Sequence, residues 1–417
     1  MEYIYNNRKD YLSIQIENRP NEKLSVKNVP ENCSTILDIF KLLFTEEMII
    51  SLAKESKEYA LSKFIEEDGE DWKNKKLTKN SYKWYYINHG ITSNDIKLYL
   101  AAIIFMGIIK LPRISNYWEN NSFYQNILPN YISKNKFYFL SFALHLPIEE
   151  FENNDDNNKD DVNFDKDDNN ENFEENNNDN IEDKEDNINK KDPRYKCLSY
   201  LNEIIKNSKK YVIPGINITI DETLVFFRGR SNMVFYMPAK PSKWGFKMHS
   251  MVDSNTHYIY DLIFYPGKNY KNLITEDKNK KFAQQIVNTL VDRLPGTGYR
   301  IFCDSWYASV DLVKDMTKKN FSIITSLRSN AIDLPNKELI SNSSKKYAYN
   351  NENHLIIQEF KDKKTIYFIT NENLSTEEIK KLFNFQNRGV DKMNQSISYY
   401  NVERKVYKWW KKLFFLV

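Results

Sequence analysis

The segments INITIDETLVFF (216–227), FKMHSMVD (246–253) and YIYDLIFY (258–265) decide how this chain folds. In the first, Ile216, Ile218 and Ile220 alternate with polar positions, the period-two pattern of a strand with one buried face. DSNTH (253–257) supplies turn-forming residues between the second and third. Together they predict a three-strand antiparallel meander. C-terminal to it, KFAQQIVNTLVDRL (281–294) has helical spacing and YRIFCDSWY (299–307) reads as a strand. SVDLVKDMTKKN (309–320) then reads as a helix and FSIITSLR (321–328) as another strand.

The element order is therefore βββαβαβ, and a closing helical stretch from Gly389 to the end makes it βββαβαβα. This is the order of an RNase H-like core, an α/β fold with a mixed sheet flanked by helices. A β-rich insert is expected at about 330–375, where HLIIQEF and KTIYFIT look like a hairpin around Lys361–Lys364. N-terminal to the core, residues 34–149 read as all-helical. Thr45 with Glu46 and Glu47 marks one helix start, Thr92, Ser93 and Asn94 mark a second, and NKFYFLSFALHL forms a third. The expected organisation is an N-terminal segment (1–33), a helical region (34–149), an acidic Asn-rich tract (150–192) and the core (193–417).

Charge is strongly segregated. Residues 151–190 hold 16 Asp or Glu, 4 Lys and 14 Asn, with too little apolar surface to offset ordering entropy, so this tract is expected to be a disordered spacer. Elsewhere lie 56 of the 60 Lys and Arg but 41 of the 57 Asp and Glu, a net of +15 that favours a polyanionic partner. A lysine-rich solvated surface from biased codon usage would give the same count. Three dispersed cysteines exclude a disulfide framework and fit a reducing compartment; with the scattered histidines they leave no readable zinc site. The longest apolar run, Leu98–Ile109, is shorter than the roughly 20 residues a membrane-crossing helix needs. No signal or transit segment is readable at the N-terminus.

Three aspartates have reason to meet. Asp221 is read as closing the first core strand, on the polar face, and Asp304 as ending the fourth. An RNase H-like order makes those strands neighbours, so the two carboxylates would lie side by side, with Asp391 at the start of a later helix facing the same end. Crowded carboxylates repel unless divalent cations neutralise them. Two such ions can activate a water or 3′-hydroxyl for phosphodiester displacement. Taken singly, an Asp at a strand end is usually a turn or cap residue.

The run DETLVFFRGRSNMVFYMPAKPSKWGFKMHSMVDSNTHYIYDLIFYPGK (221–268) resembles the piggyBac transposase family. That family has an Asp-Glu strand, a Gly-Arg turn and a Tyr-Met-Pro-x-Lys-Pro-x-Lys-Trp-Gly segment. IFCDSWYASVDLVKDM (301–316) resembles its second Asp block and NRGVDKMNQ (387–395) its third, and residues 36–60 and 91–118 are similar to its helical dimerisation and DNA-binding region. The resemblance implies that Asp221, Asp304 and Asp391 are catalytic and bind two Mg²⁺, with Mn²⁺ as a substitute. It further implies a homodimer acting on double-stranded DNA, excision of transposon ends through hairpins, insertion at TTAA, and a nuclear location.

Lys240, Lys243, Trp244 and Lys247 combine cations with an indole suited to phosphate contact and stacking. Arg404, Lys405, Lys408 and Trp409 form a second such cluster, in which Trp409 aligns with the family tryptophan of hairpin handling, and Arg228 and Arg230 flank Gly229. All ten are expected DNA-binding residues. A core Trp244 among solvated lysines is the alternative. Asn394 stands where the family usually has Asp, the insert lacks the family's usual Trp-containing strand, and the C-terminal zinc module is missing before Val417, which reads as a truncation. The competing function is an element-derived DNA-binding or interaction protein without catalysis.

Overall fold

A computed structural model describes residues 16–147, 192–238, 240, 242–267, 280–331, 347–350, 355–361, 365–399 and 408–415. The acidic tract lies almost wholly outside the described residues. β1 (Ser25–Val26) precedes a helical series: α1 (Ile36–Leu43), α2 (Glu46–Asp68), α3 (Tyr82–His89), α4 (Ser93–Ile108), α5 (Lys134–Ala143) and α6 (Tyr195–Tyr211). The expected helix starts hold. Thr45 accepts from Met48 N–H, and Thr92 forms a capping box with Asp95, each satisfying amides that the first turn leaves unpaired. α6 was not anticipated, although Cys197, Tyr200, Leu201 and Ser208 recur on one buried face.

The strands that follow are β2 (Val212–Ile213), β3 (Asn217–Phe226), β4 (Val234–Tyr236), β5 (Trp244–Asp253), β6 (Ile259–Tyr265), β7 (Arg300–Cys303), β8 (Ser322–Leu327), β9 (Tyr347–Asn350), β10 (Leu355–Lys361) and β11 (Thr365–Thr370). β2 pairs with β1, and the others form one sheet in the order β4-β5-β3-β7-β8-β11-β10-β9. β6 shares the outer edge of β5 with β4, pairing with 247–252 while β4 takes 244–246. The meander is thus as expected, with the short β4 added. β3, β7 and β8 run parallel, as crossover helices demand. This is an RNase H-like core.

β10 and β11 form the expected hairpin of the β-rich insert. β11 pairs with β8, so the hairpin extends the main sheet. α7 (Phe282–Val291) and α8 (Val310–Lys318) cover one face, burying Ile218, Ile220, Ile301, Cys303 and Ile323. On the other face α9 (Thr376–Gln386) packs Ile379 on Phe302, Ile324 and Phe368, while α10 (Gly389–Tyr399) packs Val390 and Met393 on Val252. α9 was also not anticipated, although Ser375 and Glu378 form a capping box that is readable as STEE. α11 (Trp409–Phe414) is distinct from α10, and residues 400–407 lie outside the described set. The helical core extends through α6 and α11 onto Val225, Phe246, Met248 and Phe264 of the sheet. The helical region and the sheet therefore share a core across the expected boundary at 193.

Where β3, β7 and β8 begin, residues 16–22 are strapped across the sheet. The strap is held by Glu372, just past β11, which pairs with Arg300 at 3.0 Å and Arg19 at 2.6 Å. Burial alone would raise the Glu372 carboxyl, but the two guanidinium groups and Ser322 carry it below its ordinary range. A depressed folded value means that its stabilisation is complete above about pH 4.3 and is lost as pH falls through the folded pKa. Glu372→Gln should cost about 3 kcal/mol at neutral pH, because two arginines lose their buried partner. Denaturant melts should show the gap between variant and parent narrowing below about pH 4, and a gap independent of pH would refute the assignment.

Candidate active site

The β3–β7 ladder ends on the pair Ile220↔Cys303, so the next residues along the two chains are Asp221 and Asp304. β7 stops there, whereas β3 runs on to Phe226 beside β5. Asp221 is therefore in mid-strand rather than at a strand end. It lies between Thr219 and Thr223 on the face covered by α9 and α10, and Thr223 confirms the direction by its 2.9 Å bond with Ser250, the cross-strand neighbour of Asp221.

α10 is fixed to that face by close contact. Thr219 Oγ1 donates at 2.6 Å to the carbonyl of Gln386, the last residue of α9, and a Cβ on Gly389 of α10 would sit 2.8 Å from that Oγ1. Only glycine permits this approach. It places Asp391 in the exposed first turn of α10, two residues beyond the contact.

Burial raises the Asp221 carboxyl to about 7, and the charges of Asp304 and Asp391 add to the rise. The Glu222 N–H, bonded at 2.7 Å, and the Lys240 ammonium oppose it. Asp304 is raised by burial and by Glu222; the Trp306 N–H, donated to its Oδ1 at 2.8 Å, with Arg328 and Lys240, pulls the other way. The aspartates thus sense one another. Yet among the described residues no three His, Cys, Asp or Glu side chains stand close enough together to hold a metal ion as they are.

A second layer lies on the opposite face of β3. Glu222 is cross-strand from His249 and ion-paired to Lys247 at 2.5 Å. The Trp306 ring covers both β5 residues, with the Lys247 ammonium 4.6 Å from its centroid and His249 stacked at 5.6 Å and 13°. Burial, with Lys247 nearby, lowers the His249 ring to about 3, so it is neutral. Sequence reasoning missed Glu222, Trp306, His249 and Arg328 as neighbours of the aspartates. Glu222 and Trp306 had a signal in their adjacency to Asp221 and Asp304; His249 and Arg328 come from other strands and had none.

The expected DNA-binding residues separate into groups. Arg228, Arg230 and Lys243 are exposed, Arg228 lying 5.5 Å from the Phe226 ring. Trp244 is 46% exposed and packs on Tyr236 at 4.7 Å, so it does not fill the core. Lys240 donates to the Glu222 carbonyl at 3.2 Å, inside the site, and Lys247 is engaged by Glu222. Lys408 bonds the Tyr59 hydroxyl, and half-buried Trp409 meets Phe246 at 6.2 Å. Arg404 and Lys405 lie outside the described residues.

The family model described as Transposase IS4 matches residues 36–417. The chain belongs to this piggyBac-type transposase family. The cryo-EM structure of a piggyBac transposase synaptic complex with hairpin DNA superposes with a TM-score of 0.73 at 20% identity, over 94% of this chain and 74% of that one. That likeness shows the fold. In this family member the raised carboxyls of Asp221 and Asp304 are hard oxygen donors whose crowding a divalent cation would relieve, so the chemistry of these two donors suits such an ion although no third ligand stands beside them among the described residues. No helix among the described residues is long and apolar enough to cross a membrane.

Because the Asp221 value is raised on folding, its contribution to stability is complete below about pH 4 and is lost as pH rises through about 7. In metal-free buffer, Asp221→Asn should raise Tm near pH 8 and change it little near pH 4. Thermal melts across that range would show this, and an effect equal at both ends would contradict the crowding of Asp221.

Proposed function

We propose that this family member is an active DNA transposase that breaks and rejoins phosphodiester bonds using Asp221, Asp304 and Asp391. The observation that carries the reading is the Ile220↔Cys303 register, beside which Asp221 and Asp304 follow directly, with Gly389 of α10 packed against Thr219. In this reading the three aspartates hold two Mg²⁺, or Mn²⁺, which would supply activation of the attacking oxygen and neutralisation of the leaving one. Water oxygen bonds to phosphorus as the P–O3′ bond breaks, and the 3′-oxygen takes up a proton. The freed 3′-hydroxyl then attacks a second phosphodiester in the same sense. Lys240, already inside the site, would pair with a non-bridging phosphate oxygen.

Arg228, Arg230 and Lys243 would track the backbone of double-stranded transposon ends, and the exposed Trp244 would stack on a base. Lys408 and Trp409, with Arg404 and Lys405, would form the second contact. The likeness to a synaptic complex with hairpin DNA supports ends processed through hairpins. By family resemblance the target is TTAA, the protein works as a homodimer, and its DNA substrate places it in the nucleus. The absence of a ready three-ligand cluster among the described residues favours a second reading, a family member that binds DNA without cleaving it.

Incubation of the full chain with DNA carrying TTAA-flanked element ends separates the two. Nicking is expected with Mg²⁺, none with EDTA, and none with Asp304→Ala. Cleavage surviving that substitution would sink the aspartate assignment, and binding without any nicking would leave the second reading. Lys243→Ala should weaken binding across sequences and reduce the salt slope by about 1, measured by anisotropy over a salt series.

A further inference from the structure

β7 ends at Cys303, so the sheet no longer holds Asp304. Two contacts do. The Tyr307 N–H donates to the Asp304 carbonyl at 3.2 Å and the Trp306 N–H fixes Oδ1 at 2.8 Å, while the Thr325 hydroxyl donates to the Cys303 carbonyl at 2.7 Å beside them. One carboxylate oxygen is thereby tied to the backbone of Trp306, and the direction of the other follows from it.

What fixes Trp306 and Tyr307 lies two strands away. The Tyr307 hydroxyl is bonded to His249 Nδ1 at 2.7 Å, with His249 at 0% and Tyr307 at 1% exposure. The indole of Trp306 lies parallel on the same imidazole. The turn after β7 thus reaches over β3 and fastens to β5. Packing alone would accept Phe at 307, since Tyr265, Phe282 and Trp306 already surround the imidazole with rings. The buried hydroxyl–imidazole bond adds direction, because His249 Nε2 already lacks a hydrogen-bond partner among the described residues, and loss of the Tyr307 hydroxyl would leave both ring nitrogens buried and unpaired.

We propose that Tyr307 and His249 are positioning residues that aim the Asp304 carboxylate, acting through the backbone of Trp306. This rests on Asp304 being a ligand for a divalent cation. Neither residue touches the reacting atoms. The arrangement is that of outer partners that orient metal ligands, whose loss typically costs about 10- to 100-fold in metal affinity.

The test is calorimetric titration of the full chain with Mn²⁺ alone, without DNA, beside Tyr307→Phe and the double variant Tyr307→Phe/His249→Leu. Thermal melts of all three accompany it. The double variant removes both polar partners and keeps an apolar filling, so it avoids the penalty of an orphaned imidazole that could unfold the single variant. Mn²⁺ Kd is expected to rise by about 10-fold or more in the variants. A lowered Tm with unchanged Mn²⁺ Kd would mean that the pair is merely structural and would overturn the inference. Wild-type chain that takes up no Mn²⁺ would remove the ligand reading and the inference with it, whereas wild-type uptake matched by both variants defeats the inference alone.

Discussion

Everything at the site depends on the parallel pairing of β3 with β7 in a single register. Because side chains alternate along a strand, a slip of one residue would send Asp221 to the α7–α8 face and leave Asp304 without a neighbour. The register is held by Ile218, Ile220, Ile301 and Cys303, all fully buried against α7 and α8. The apolar face of these strands sets where the acidic face must be. The cost of the arrangement is visible in the raised carboxyls of Asp221 and Asp304, a destabilisation that the surrounding sheet and its two helical layers sustain.

The core that sustains it is larger than a single sheet. α6 packs Cys197, Tyr200 and Leu201 into the helical region, and α11 adds Trp410, Leu413 and Phe414 to the same cluster. Phe246 and Met248 of β5 join it from the sheet side, while Lys247 and His249, on alternate positions of that strand, face Glu222 and Trp306. One strand therefore links the helical core to the turn that carries Asp304. A change at the α11 docking surface and a change at His249 act on the same rigid element, β5, from its two faces.

Much of this was legible in particular residues. Ile216, Ile218 and Ile220 announced β3, Thr45 and Thr92 announced α2 and α4, and HLIIQEF with KTIYFIT announced β10 and β11. Other elements were overlooked although their signals are local: the buried stripe of α6 and the STEE start of α9. The docking of the hairpin onto β8 was not legible at all, since a hairpin's pattern reports its own pairing and not which sheet edge it will meet. Strand ends were the weakest point. β3 outruns Asp221 by five residues because β5, unlike β7, continues beside it.

The sequence by itself determined the element order, the alternation that separates the Ile220 face from the Asp221 face, and the charge split between the 151–190 tract and the rest of the chain. These follow from local periodicity and composition, which need no knowledge of partners. Only the tertiary structure decided that Asp304 follows the last pair of a shortened strand, that Gly389 lies against Thr219, and that His249 and Tyr307 bond across β3. Each of these is a contact between residues far apart in the chain. Such contacts are set by sheet register and close approach of backbones, which a linear pattern constrains only after the strands have paired.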